Sequence, residues 1–162
     1  ALFATTGPGR AAPFEDGAPG ADLLYYAAGP TNSAAVDIYV STLGSDGTYG
    51  PGVPVTELNT PSIERMPTIR RDGLELFFAS DRPGTLGTLD LWVATRSSTS
   101  APWSAPLNLG PVVNSVAIDA RPALSFDGTD LYFQSPRPGG LGSFDLYVTT
   151  RAKLKAPESF SR

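Results

Sequence analysis

The stretch Ser80–Arg96, SDRPGTLGTLDLWVATR, returns 55 residues later as Ser135–Arg151, SPRPGGLGSFDLYVTTR. Arg, Pro, Gly, Leu, Gly, Asp and Leu keep their places while their neighbours change. Turn residues and strand residues that are copied together mark a repeated structural unit. The short motif Asp-apolar-aromatic-Val extends the pattern over the chain: DIYV at Asp37, DLWV at Asp90 and DLYV at Asp145, spaced by 53 and 55 residues.

Each motif follows an apolar run: LLYYAA from Leu23, LELFFAS from Leu74 and TDLYFQS from Thr129. The turn dipeptides Asp72-Gly73 and Asp127-Gly128 precede the last two runs, and RMPTIRR and ARPALSF stand ahead of those. Aromatic and proline-rich segments follow the first two motifs, YGPGVPVTELN from Tyr49 and WSAPLNLGPVVN from Trp103. Each unit reads as four short strands, with Asp-Gly forming the hairpin between the first and second. Four strands at a period near 50 predict the blade of an all-β propeller, with units at 1–58, 59–113 and 114–162. The 17 Gly and 16 Pro, spread evenly over 162 residues, suit many strands joined by tight turns.

The segment Arg121–Arg151 resembles the TolB-type, WD40-like propeller repeat: Pro and Ser before Asp-Gly, an aromatic strand, Ser-x-Arg-x-Gly-Gly, then Asp-Leu-Tyr-Val. Met66–Arg96 carries most of that pattern, with Arg70 in place of Ser and Thr85 in place of the second Gly. The first unit departs further, since GPTNSAAVD lacks the Arg and the paired Gly. The resemblance spans about residues 14–160. It implies rings of six blades and a periplasmic or secreted setting.

ALFATT at Ala1 reads like DLWVAT at Asp90, and APESFSR from Ala156 like the start of an outer strand. That amounts to three blades, whereas propellers close with at least four. Open flanks would expose apolar sheet faces, so either the chain is half of a larger natural propeller or two copies pair as half-propellers into a six-bladed homodimer; pairing is the expectation, set against an isolated three-blade form or a cut fragment.

Composition narrows the chemistry. The chain has no Cys and no His, which excludes disulfides, thiolate metal sites and catalytic triads built on His. A net charge of −4 argues against nucleic acid as a partner. No apolar run is long enough to span a membrane. Ala1 opens no charged-then-apolar leader, which leaves a cytoplasmic chain or one whose leader has been removed.

Three constellations stand out. Arg82 precedes Asp90, and Arg137 precedes Asp145, by eight residues across a Gly-rich connection; a bidentate pair in each blade is expected, as a structural strut. Asp37 lacks such an Arg and would turn to Asn32, Ser33 or backbone donors. Asn59, Glu64, Met66 and Pro67 are matched by Asn114, Asp119, Arg121 and Pro122 on the crossings between blades. There Glu64 and Asp119 either accept backbone N–H groups or face the channel as an oxygen-rich Ca²⁺ site, making Asn59, Glu64, Arg65, Asn114, Asp119 and Arg121 the candidate ligand-binding set. The aromatic series Tyr25, Tyr26, Phe77, Phe78, Tyr132, Phe133, Tyr39, Trp92 and Tyr147 reads as packing between blades, with Tyr49 and Trp103 more exposed. The glycines of RPGGLGSFD lie between strands rather than at a helix start, so they read as positive-φ turn residues and not as a phosphate cradle.

The expected function is a non-catalytic binding or scaffold module recognising a protein, peptide or glycan at the channel face. A carboxylate- and Ca²⁺-dependent hydrolase or lyase, and a purely structural propeller fragment, are the alternatives.

Overall fold

The computed structural model describes residues 11–13, 23–29 and 36–153, with only the backbone for 11–13. The expectations placed on Ala1, on Asn32 and Ser33 and on Ala156–Arg162 fall outside these residues. No helix occurs among the described residues, and eleven strands form three antiparallel sheets.

The first sheet runs in the order β1 (Ala11–Pro13), β2 (Leu23–Ala28), β3 (Asp37–Thr42) and β4 (Val53–Pro54). The second follows with β5 (Glu64–Ile69), β6 (Glu75–Ser80), β7 (Asp90–Thr95) and β8 (Leu107–Asn108). The third shows β9 (Ala120–Leu124), β10 (Asp130–Ser135) and β11 (Asp145–Thr150). Each sheet is a simple meander and each inner strand stands near that of the next sheet, which is a three-bladed arc of a β-propeller.

Strand periodicity assigns two faces to each blade. Along β6, Leu76 and Phe78 point toward the first sheet, where they meet Tyr25 and Ile38; Phe77 and Ala79 point toward the third, where they meet Leu131 and Phe133. Along β7, Trp92 and Ala94 join the first cluster, and Leu91 and Val93 the second. Every residue of β6 is therefore buried, as expected for a strand covered on both faces. β11 carries the same motif but has one face open among the described residues, and its burial alternates. Trp103 corrects the reading of partial exposure: it is 7% exposed and meets Tyr25 edge-on with centroids 6.0 Å apart, whereas Tyr49 is 42% exposed. Burial raises the pKa of the Tyr25 hydroxyl, with the Arg96 charge opposing.

The Asp-Gly hairpins form where the dipeptides stand. Gly73 and Gly128 adopt φ of 73° and 71°, the left-handed conformation that glycine takes without strain. Asp72 accepts from the Leu74 N–H and Asp127 from the Thr129 N–H, so the acid closes the turn that Gly permits. In the Gly-rich loop only Gly139, with φ of 97°, fits the positive-φ reading; Gly140 and Gly142 do not.

One feature of the inner strands departs from sequence expectation. Met66 and Arg121 both adopt φ of 56°, although each precedes a proline, a context that favours extended backbone. The register with the neighbouring strand shifts at the same places, so each inner strand carries a bulge in the same position.

Candidate functional site at the blade junctions

The residues singled out on the blade crossings assemble into one construction, built twice. Asn59 follows β4 and turns back on β3 of its own blade: its Oδ1 accepts the Ile38 N–H at 2.7 Å and its Nδ2 donates to the Ile38 carbonyl at 2.9 Å. Asn114 does the same to Leu91 in the second blade, at 2.8 and 3.0 Å. An amide carries one acceptor and one donor side, so a single Asn continues the ladder where the short fourth strand stops.

The chain then crosses to the next blade. The Glu64 N–H donates to the Val36 carbonyl at 2.7 Å, and the Asp119 N–H to the Leu89 carbonyl at 2.8 Å. Both carboxylates are fully buried. Glu64 accepts from the Thr60 N–H (2.9 Å), the Thr60 hydroxyl (2.6 Å) and the Ser80 hydroxyl (3.1 Å), with Arg82 Nη2 at 3.0 Å. Asp119 accepts from the Ser115 N–H and hydroxyl, and from Arg137 Nη2 at 2.6 Å.

This geometry corrects the expected arginine pairs. Arg82 pairs with Glu64, not Asp90, and Arg137 pairs with Asp119, not Asp145. Each guanidinium also donates to a crossing carbonyl, Leu58 or Val113, at 2.5 and 2.6 Å. Asp90 and Asp145 instead close their own loops: Asp90 accepts from the Leu86 and Gly87 N–H groups and the Asn108 amide, and Asp145 from the Gly142 N–H. The physical reason lies in the serine ahead of each Arg. Ser80 and Ser135 hold the Nε of Arg82 and Arg137 at 3.1 Å, which aims each fork at the inner strand and away from the motif Asp. The same guanidiniums lie over aromatic rings, Arg82 over Phe78 at 4.8 Å and Arg137 over Tyr147 at 4.7 Å.

Burial lowers the Arg82 pKa, and the Glu64 carboxylate opposes that shift. Burial raises the Asp37 carboxyl, reinforced by the charge of Glu64. Arg65 is half-buried, and its Nε has no acceptor among the described residues; Arg121 is exposed at its bulge. Glu64 and Asp119 thus sit in separate junctions, each engaged by its own donors. No group of three or more metal-ligating side chains occurs among the described residues.

Sequence reasoning missed a second link. Arg151 holds the Glu75 carboxylate of the preceding blade with two donors, at 2.8 and 2.5 Å, and Arg70 reaches the same carboxylate at 2.7 Å. The recurrence of Arg96 and Arg151 was visible, and each donates to the hairpin carbonyl of its own blade, Gly73 or Gly128. The partner 76 residues away was not, because it belongs to a different repeat.

Solved structures share this fold. TolB from Acinetobacter baumannii is 20% identical, with a TM-score of 0.54 over 82% of this chain and 28% of that one. A protein assigned as TolB from Agrobacterium tumefaciens is 18% identical, with a TM-score of 0.58 over 91% of this chain and 47% of that one. The fold is that of a TolB-like β-propeller, and the chain spans less than half the length of either structure. No protein-family model and no curated protein matches the chain.

Proposed function

We propose that this chain is a non-catalytic recognition module of propeller type, which pairs as a half-propeller and binds a protein or peptide at the end formed by its loops and crossings. The observation that carries this reading is a division of labour at that end. Its buried acids tie the crossings to the next blade and its amides extend the ladders of their own blades, while Leu86, Val112, Val116 and Leu141 stand 46, 88, 83 and 103% exposed on the same side. Large apolar side chains gathered on one face of a soluble protein mark a contact surface, and the nearby Arg121 adds a cation suited to acidic or amide-rich ligands.

A periplasmic or secreted setting is part of the proposal and follows from the repeat resemblance. No helix of the described residues is long and apolar enough to cross a membrane. Glu64, Asp119 and Asp90 are each engaged by several donors, which ties these three carboxylates to the fold and supports binding over acid–base chemistry at these positions.

The test is binding to immobilised peptide and glycan arrays by the native chain and by a Leu86→Ser, Val116→Ser, Leu141→Ser variant. Peptide binding that the variant loses, with glycans left intact on the array, is the expected result. Cleavage of arrayed glycans by the native chain would replace this reading with the hydrolase alternative.

A further inference from the structure

The two junctions in the chain use one pair of surfaces twice. Toward the following blade, the first sheet presents Tyr25, Ile38 and Val40, and the second presents Phe77, Leu91 and Val93. Strand pairing and the repeated motif place Tyr132, Leu146 and Val148 at the same positions of the third sheet. Ile38 and Leu91 are 0% exposed, but Tyr132, Leu146 and Val148 are 37, 68 and 55% exposed.

The opposing surface is just as regular. The third sheet meets the second with Phe133 stacked on Tyr147, centroids 5.8 Å apart and planes at 24°. On the first sheet the corresponding residues are Tyr26 and Tyr39, stacked at 5.8 Å and 21°, on the side turned away from the second sheet. Both rings are half-buried. Among the described residues there is therefore a docking face without its aromatic pair and an aromatic pair without its docking face. The two faces do not meet each other within the described residues, where the third sheet touches only the second.

We propose that the Tyr132–Leu146–Val148 face receives the Tyr26–Tyr39 face of a second copy, and that two such joints close a six-bladed ring. This rests on the half-propeller pairing proposed above and adds the surfaces that make it. The occupant is argued by continuity with the existing junctions, whose chemistry both faces reproduce. The Glu75–Arg151 ion pair has no counterpart here, because Leu43 stands at the Arg151 position of the first blade; it is dispensable, since Leu23 stands at the Glu75 position in the first junction, which forms nonetheless.

The chain has no Cys, so single replacements report contacts without background. Light scattering over a hundredfold dilution should give the mass of two chains, and Leu146→Asp should reduce it to one while leaving the melting curve of the exposed-face variant sharp. Tyr26→Cys and Leu146→Cys chains, allowed to exchange and treated with a short bismaleimide, should cross-link only when mixed. A two-chain mass unaltered by Leu146→Asp, or cross-linking of Leu146→Cys with itself, overturns these surfaces while leaving pairing intact. A one-chain mass throughout overturns pairing as well, and a further blade then becomes the occupant.

Discussion

Arg137 and Asp119, 18 residues apart in sequence, meet at 2.6 Å at the root of the third blade, where the carboxylate is fully buried. Arg82 and Glu64 repeat the relationship in the second blade. Removing one partner of such a pair strands the other charge away from water, which costs about 3–5 kcal/mol. Arg137→Ala is expected at the low end, about 3 kcal/mol, because the Arg137 side chain keeps 21% exposure. A double-mutant cycle with Asp119→Asn in urea should return a coupling energy well above that of a surface pair; a coupling near zero would show that Arg137 acts through Val113 alone.

The amide clamps make a separate prediction. Asn114→Ala leaves the Leu91 N–H without its partner, while the Leu91 carbonyl keeps the Leu109 N–H at 3.1 Å, and a buried backbone donor left unsatisfied costs about 1–3 kcal/mol. Asn114→Asp keeps the acceptor but loses the donor, so it should recover only part of the loss. Hydrogen exchange at the Leu91 amide reads the effect directly: protection should fall most in the Ala variant and the least in Asp.

These clamps show what sequence could and could not reveal. The strand order, the Asp-Gly turns and the buried aromatic faces followed from local patterns, because alternation and turn chemistry act over a few residues. The ion pairs did not. Arg82 and Asp90 stand closer in sequence than Arg82 and Glu64, but Ser80 orients the guanidinium, and that orientation depends on how β5 and β6 align. The bulges at Met66 and Arg121 were hidden for a similar reason. The residue before proline favours extended backbone, and packing of the inner strand overrides that preference. Of the candidate ligand set, Asn59 and Asn114 extend the ladders of their own blades, and Glu64 and Asp119 tie the crossings to the arginines of the next, engagements that recurrence alone could not specify.

Two glycines at matching positions distinguish a closed junction from an open one. A Cβ on Gly87 would lie 2.1 Å from the Ala117 carbonyl oxygen, a backbone atom of the next crossing. Among the described residues, a Cβ on Gly142 would meet nothing closer than an Asp145 carboxylate oxygen at 3.7 Å. Gly87→Ala must push the crossing aside and is expected to destabilise the fold by about 1–3 kcal/mol, as overpacking does. Gly142→Ala should leave the melting temperature of a single chain nearly unchanged. Equal losses in thermal melts of the two variants would mean that the open flank is as crowded as the closed one.

The hairpin acids give the fold a predictable response to acid. Hydrogen bonds from Ser125 and Thr129 hold the Asp127 carboxyl below its ordinary value. For Asp72, burial works in the opposite direction, but the Arg70 guanidinium and the Leu74 N–H outweigh it and the carboxyl is lowered as well. A carboxyl with a lowered folded pKa stabilises the fold above its unfolded value, near 3.9, and that contribution disappears as pH falls through the folded value. Asp127→Asn and Asp72→Asn should therefore cost stability at pH 6, and the difference from the native chain should shrink steadily below pH 4. Urea midpoints at half-unit pH steps check this. A difference that stayed constant from pH 6 to pH 2 would assign the effect to the altered turn geometry and not to the charge.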